Sequence, residues 1–201
     1  MSSLPKLVLA SGNRHKIMEL KELLQGIPFD LVGLDVFQNV IPAEENGKTF
    51  VENAIIKARA VMEQTGYWAF ADDSGLVIDA LGGNPGIYSA RYADTDSACI
   101  DRVLLEMEQV PDDQRTARFI CCIAIVSPAG ECWVDEGKAE GFILRERHGL
   151  AGFGYDPIFY YPELKQTFAE LSPDIKNSVS HRARAVELAK QRLFDLGHKS
   201  I

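Results

Sequence analysis

The run Phe70-Ala71-Asp72-Asp73-Ser74-Gly75-Leu76-Val77-Ile78 constrains this chain more than any other stretch. Its flanks are apolar and suit strands, yet its centre holds two carboxylates, a hydroxyl and a glycine. Asp, Ser and Gly are common turn formers, so a strand ending in an Asp-Ser-Gly turn is the simplest expectation. Carboxylates at the mouth of a strand are also the hard oxygen ligands that Mg2+ prefers, above all when phosphate oxygens complete its shell. The second expectation gains weight from several other polar, Gly-rich stretches of a kind suited to phosphate and purine.

Composition narrows the class. A chain of 201 residues with 46% hydrophobic residues can build a real core, as one domain or as two closely joined lobes. The formal net charge of −8 argues against a sequence-independent nucleic-acid binder, which needs a basic face to displace counterions. No apolar run approaches the ~18 residues of a membrane span, and the N-terminus lacks the pattern of a secretory leader, so a cytoplasmic protein without membrane or nucleic-acid partners is expected. Cys99, Cys121, Cys122 and Cys132 show no CxxC spacing and no partner His pair. Free, mostly buried thiols are expected, with Cys121 and Cys122 on opposite faces of one strand.

Leu7-Val8-Leu9-Ala10 reads as a buried strand, followed by Ser11-Gly12-Asn13-Arg14-His15-Lys16 and a helix with Ile17, Leu20, Leu23 and Leu24 on its apolar face. A strand, a small Gly-containing loop and a helix start together offer backbone N–H groups and the positive end of the dipole to an anion. Lys16 adds a mobile positive charge, although an ordinary capped βα turn explains the feature as well. The loop Ile41–Gly47 carries Glu44 and Glu45, either solvated or able to complete a metal site beside Asp72 and Asp73. Thr49-Phe50-Val51-Glu52 is a capping box opening a helix that runs past Lys57 to Thr65 and stops at Gly66.

The segment Leu81–Tyr92 is too rich in Gly, Pro and aromatics for a plain linker and reads as an ordered loop. A helix capped by Thr95 or Asp96 should follow, then a long hairpin from Arg115 to Phe142. Farther on, glycines beside Phe153 and Tyr155 let a flat ring approach the backbone, and Asp156 is held extended before Pro157. Ser172 and Pro173 mark a short helix. Ser180 caps the last one, with Val186, Leu188, Ala189 and Leu193 inward and two bulky donors, His181 and Arg182, in its first turn. Those donors suit an anion or a carbonyl-bearing ligand, unless the turn is simply exposed and basic.

Six segments stand in one order: Ser11-Gly12-Asn13-x-x-Lys16, Thr49-Phe50-x-Glu52-Asn53-Ala54, Ala71-Asp72-Asp73-Ser74-Gly75-Leu76, Gly83-x-Pro85-Gly86-x-Tyr88-Ser89-Ala90-Arg91-Tyr92, Gly152-Phe153-Gly154-Tyr155-Asp156-Pro157 and Ser180-His181-Arg182-x-x-Ala185. Together they resemble the inosine/xanthosine triphosphate pyrophosphatase family from about Leu7 to Leu193. The resemblance implies an α/β fold with a long bent mixed β-sheet, flanking helices and two lobes around a central cleft, residues 1–201 forming a single domain. It also implies a cytoplasmic homodimer that uses Mg2+ to convert ITP, dITP and XTP to the monophosphate and pyrophosphate. By the same resemblance Ser11, Gly12, Asn13, Arg14, His15 and Lys16 bind substrate, chiefly its phosphates, together with Lys57 and Ser74. Asp73 is the implied catalytic base and a metal ligand, with Glu44 as the second carboxylate and Glu45 as its alternative. Phe153, Gly154, Tyr155, Asp156, Lys176, His181 and Arg182 are implied to surround the base and the triphosphate.

Two other classes remain open to test. A related pyrophosphatase could prefer pyrimidine or modified nucleotides, and a nucleotide sensor could keep the phosphate loop without turnover. A serine hydrolase built on Ser74 and His181 is disfavoured, because no GxSxG elbow is present.

Overall fold

The structure, a computed structural model, describes residues 4–199. Seven strands form one sheet: β1 (Lys6–Leu9), β2 (Asp30–Gly33), β3 (Trp68–Ile78), β4 (Thr116–Val126), β5 (Cys132–Ile143), β6 (Phe159–Tyr161) and β7 (Gln166–Thr167). Their order is β2-β1-β3-β4-β5-β6-β7. β1 runs parallel to β2 and β3, whereas β6 runs antiparallel to β5 and β7, so the sheet is mixed. β4 and β5 are neighbours joined by residues 127–131, and Ser127 N–H donates to Glu131 O at 2.9 Å across the end of that hairpin. The helices are α1 (Arg14–Leu23), α2 (Phe50–Thr65), α3 (Asp96–Glu106), α4 (Pro173–Val179) and α5 (His181–Lys199). The α/β class and the mixed sheet are as the sequence implies. Among the described residues no helix is long and apolar enough to cross a membrane.

The chain divides into two compact units, the first comprising the chain up to Asp73, Cys121–Gly137 and Arg184 onward, the second Ser74–Ile120 and Lys138–Ala183. The first is built on Leu7 and Leu9 of β1, Leu20 of α1, Phe70 of β3, Cys121, Ile123 and Ile125 of β4, and Ala185, Val186, Ala189 and Leu193 of α5. The second gathers Leu76 and Ile78 of β3, Ile100 and Val103 of α3, and Phe119, Phe159 and Phe168. A fully buried Leu, Ile or Phe side chain contributes roughly 1.5–3 kcal/mol, so cores of this size can hold polar residues inside a strand when those residues find partners. All four cysteines are unbridged, and Cys132 alone is not fully buried.

Three local expectations are corrected. Asp156 is not held extended before Pro157 but opens a single 3-10 turn, Asp156–Ile158. Asp72-Asp73-Ser74-Gly75 is no turn: β3 runs without interruption through all eleven residues from Trp68 to Ile78. The local turn tendency loses because the polar side chains are taken up by partners from other elements, and Leu76 N–H donates to Ser89 Oγ at 2.9 Å. Leu188 is 48% exposed, since the buried stripe of α5 follows Ala185, Val186, Ala189 and Leu193 at helical spacing and Leu188 falls beside it.

Helix boundaries follow the capping chemistry. Thr49 Oγ1 accepts from Glu52 N–H at 3.1 Å, and Gly66 ends α2 in the left-handed region at φ +71°. The return bond of the box is displaced by one residue, because Glu52 Oε2 accepts from Lys48 N–H at 2.6 Å. Ser180 Oγ accepts from Ala183 N–H at 3.1 Å and opens α5.

Candidate active site

The loop after β1 is organised around Asn13. Its Oδ1 accepts from the N–H groups of His15 and Lys16 at 3.0 and 3.2 Å, while Ser11 Oγ accepts from Asn13 N–H at 3.2 Å. The loop therefore holds its shape with its own side chains and presents Gly12, with open space around its Cα, at the head of α1. Arg14 and His15 are exposed on the first turn. Lys16 is not a loose charge: its Nζ lies 3.0 Å from Asp72 Oδ2, a carboxylate closed off from solvent.

Asp73 points to the other side of the strand, as the period of two requires. Its Oδ1 accepts from Lys57 Nζ at 2.7 Å, and its Oδ2 accepts a long 3.4 Å hydrogen bond from Asn53 Nδ2. Asn53 and Lys57 stand four residues apart on α2, so one helix face serves both oxygens of the carboxylate. The same ammonium lies 3.6 Å from Glu45 Oε1. Glu45 is half-buried, whereas Glu44 is exposed. Of the two loop glutamates, the structure thus brings Glu45 to Lys57 alongside Asp73.

Burial raises the Asp73 carboxyl above its ordinary value, against the pull of Lys57 and Lys16 and with some help from Glu45. Burial also lowers the Lys57 ammonium, but Asp73, Asp72 and Glu45 outweigh it and the net displacement is upward. Asp72, Asp73 and Glu45 together outnumber Lys16 and Lys57, so the cluster keeps an excess of negative charge. An ammonium shared by Asp73 and Glu45 marks a seat where two hard oxygen donors converge on one cation, and this donor set fits Mg2+. Among the described residues no three His, Cys, Asp or Glu side chains gather into a metal cluster. Mg2+ commonly takes only one or two protein carboxylates and completes its shell with phosphate and water, so two are sufficient.

A second set lies in the unit that begins at Ser74. Arg182, 1% exposed, donates from Nη2 to Ser74 Oγ at 3.0 Å and lies 5.7 Å from the centre of the Phe153 ring. Lys176 Nζ is 4.8 Å from the same ring and donates to Asp156 Oδ2 at 2.7 Å. That oxygen also accepts from Phe153 N–H at 2.8 Å, so Asp156 ties the loop to α4. Gly152 sits at φ +74°, and a Cβ there would meet Asp156 Oδ2 at 2.1 Å, which explains the glycine. The His181 ring stacks on Phe119 at 4.7 Å and 12°. His181 and Arg182 are thus buried, and the exposed-turn alternative is excluded.

Tyr155 serves as a strut. It is buried, its hydroxyl donates to Ser89 O at 2.8 Å, and burial pushes that hydroxyl's ionisation upward, which keeps it a donor. Gly154, at φ +56°, makes the bend between Phe153 and Tyr155.

Sequence reasoning missed Asn53 as a site residue and read Asp72 only as a carboxylate of the metal site, not as the partner of Lys16. Asn53 had a signal, since it precedes Lys57 by one helical turn and shares its face. Asp72 had one as well, because adjacent strand residues cannot share a face, so two carboxylates in sequence need two sets of partners.

These arrangements define a class: an α/β protein with strand-borne carboxylates neutralised by lysines and a donor-rich aromatic loop, a chemistry suited to phosphates and to a flat polar ring. The chain belongs to the Ham1 family, whose model matches residues 7–192. A Desulforamulus reducens protein named dITP/XTP pyrophosphatase is 52% identical over 191 residues, covering 94% of this chain and 95% of its own. A Geobacter sulfurreducens protein of the same name is 47% identical over 94% of this chain and 96% of its own. Among solved structures, a HAM1 protein from Coxiella burnetii superposes with a TM-score of 0.88 at 45% identity, covering 95% of this chain and 99% of its own.

Proposed function

We propose that this chain hydrolyses the deaminated purine nucleoside triphosphates dITP, ITP and XTP to the monophosphate and pyrophosphate. The observation that carries the reading is Asp73, a buried strand carboxylate held by Lys57 and Asn53 at 2.7 and 3.4 Å. Its raised proton affinity suits a general base for water attacking the α-phosphorus. The water's oxygen bonds to that phosphorus, its proton passes to Asp73, and the α–β anhydride bond breaks with pyrophosphate leaving. Lys16 and Lys57 supply positive charge for the polyphosphate, and Ser11, Gly12 and Asn13 shape the loop that receives it. Mg2+, held by Asp73 and Glu45, would neutralise phosphate charge and acidify water. Glu44 is the alternative second carboxylate.

The set around Asp156 reads the base. A 6-oxo purine presents an acceptor where adenine presents a donor, and Arg182 offers only donors. Phe153 supplies a stacking face that any base shares. The reading includes a cytoplasmic homodimer acting on the free nucleotide pool, for which four unbridged thiols suit a reducing compartment.

Pyrophosphate release measured with dITP, XTP, ITP, ATP and dTTP, with and without Mg2+, tests the reading. Mg2+-dependent turnover of the deaminated purines far above ATP and dTTP is expected. Preference for dTTP would establish the pyrimidine alternative, and binding without turnover the sensor.

A further inference from the structure

The geometry points to Asn53 as a positioning residue that sets both Asp73 and the acidic loop carrying Glu44 and Glu45; this rests on the function proposed above. Asn53 is fully buried, at 0% exposure, and its amide makes two bonds in opposite directions. Oδ1 accepts from Gly47 N–H at 2.9 Å, and Nδ2 faces Asp73 Oδ2 at 3.4 Å. Both partners dictate the orientation of the amide. Gly47 N–H can only donate, so an oxygen must face it, and the ionised carboxylate can only accept, so the NH2 must face that. An ionised carboxylate cannot meet both demands, and a hydroxyl has one oxygen where the amide offers two separate atoms.

The link matters because Glu44 and Glu45 precede Gly47 by three and two residues in a segment without regular structure. Lys57 draws Glu45 inward from 3.6 Å, a weak constraint on a loop. The Gly47 bond to a fully buried amide is shorter and fixes the backbone itself. Gly47 is fitted to that bond, since a Cβ there would lie 2.6 Å from Asn53 Oδ1 and 2.8 Å from Glu52 Cβ. One side chain therefore sets the distance between the carboxylate on β3 and those on the loop.

The two bonds can be cut separately. Asn53→Asp keeps an acceptor for Gly47 and replaces the donor facing Asp73 with a second carboxylate. Gly47→Ala keeps the donor that faces Asp73 and crowds the loop end of the link. Asn53→Asp should lower kcat for dITP by about 10²-fold, the scale on which a misplacement near 1 Å is felt, with KM changed little. Gly47→Ala should raise the Mg2+ concentration for half-maximal rate, and should weaken Mn2+ binding to the nucleotide-free protein as read by electron paramagnetic resonance. A purely structural role would lower the melting temperature and leave kcat, Mg2+ requirement and Mn2+ affinity of the folded protein as they are, which overturns the inference. If circular dichroism shows Asn53→Asp unfolded, Asn53→Ser carries the same expectation without the added charge. Absence of dITP turnover in the unsubstituted protein would instead refute the proposed function, so the two failures are distinct.

Discussion

Replacing Asp156 with Asn tests whether the Phe153 loop is held by a dry ion pair. The Asp156 and Lys176 side chains are 4% and 7% exposed, and their charged atoms are 2.7 Å apart. The amide oxygen of Asn can still accept from Phe153 N–H, so the loop keeps that bond and loses only the charge. Removing one partner of a buried ion pair costs about 3–5 kcal/mol, because a buried charge loses its counter-ion. The Phe153 ring, 4.8 Å from Nζ, stabilises the ammonium before and after the change and does not alter the difference.

The expected loss near neutrality is therefore about 3–5 kcal/mol, or some 6–20 °C in melting temperature for a chain of this size. Urea denaturation of wild type and Asp156→Asn at neutral pH measures this. Pairing the change with Lys176→Met should restore most of the loss. A deficit below about 1 kcal/mol would refute the claim that this pair is shielded from water.

Three further outcomes are expected. Asp73→Asn should lower kcat for dITP by about 10²–10⁴-fold at saturating Mg2+ while the protein stays folded, and retention of a tenth of the activity would remove Asp73 as base. Because burial raises the Asp73 carboxyl above its ordinary 3.8, kcat/KM should fall as pH drops through a value above 3.8; a pH–rate profile with its acid limb at or below that point contradicts the assignment. Arg182→Ala should collapse the dITP-to-dATP ratio of kcat/KM from a discrimination on the order of 10⁴-fold, and an intact ratio would move recognition of the 6-position to another residue.

Much of this was legible in the sequence because it is written in short range. Thr49, Gly66, Ser172 and Ser180 name their helix ends, and the alternation in Cys132–Ile143 names a strand with one face buried. What was not legible depends on distant partners. Asp-Asp-Ser-Gly has the composition of a turn, and distant partners, among them Lys16, Lys57, Arg182 and the Ser89 hydroxyl, hold it extended. Glu44 and Glu45 are equivalent as text, and the choice between them depends on where Lys57 Nζ arrives. Tyr155 has the look of a stacking platform beside two glycines, yet its hydroxyl is fastened to a carbonyl sixty-six residues away in sequence.

The two aspartates show how strand geometry divides labour between identical residues. Consecutive positions on β3 face opposite ways, so Asp72 meets Lys16 from α1 while Asp73 meets Lys57 and Asn53 from α2. Asp72 therefore serves to fix the lysine in the first turn of α1. Asp73 has partners on both oxygens but bonds of unequal length, 2.7 and 3.4 Å, so the longer side yields more readily to a water or a cation. Exchanging the roles would require the strand to slip by one residue, which would turn Phe70 and Leu76 out of their cores. The hydrophobic register of β3 is thus what decides which carboxylate meets α1 and which meets α2.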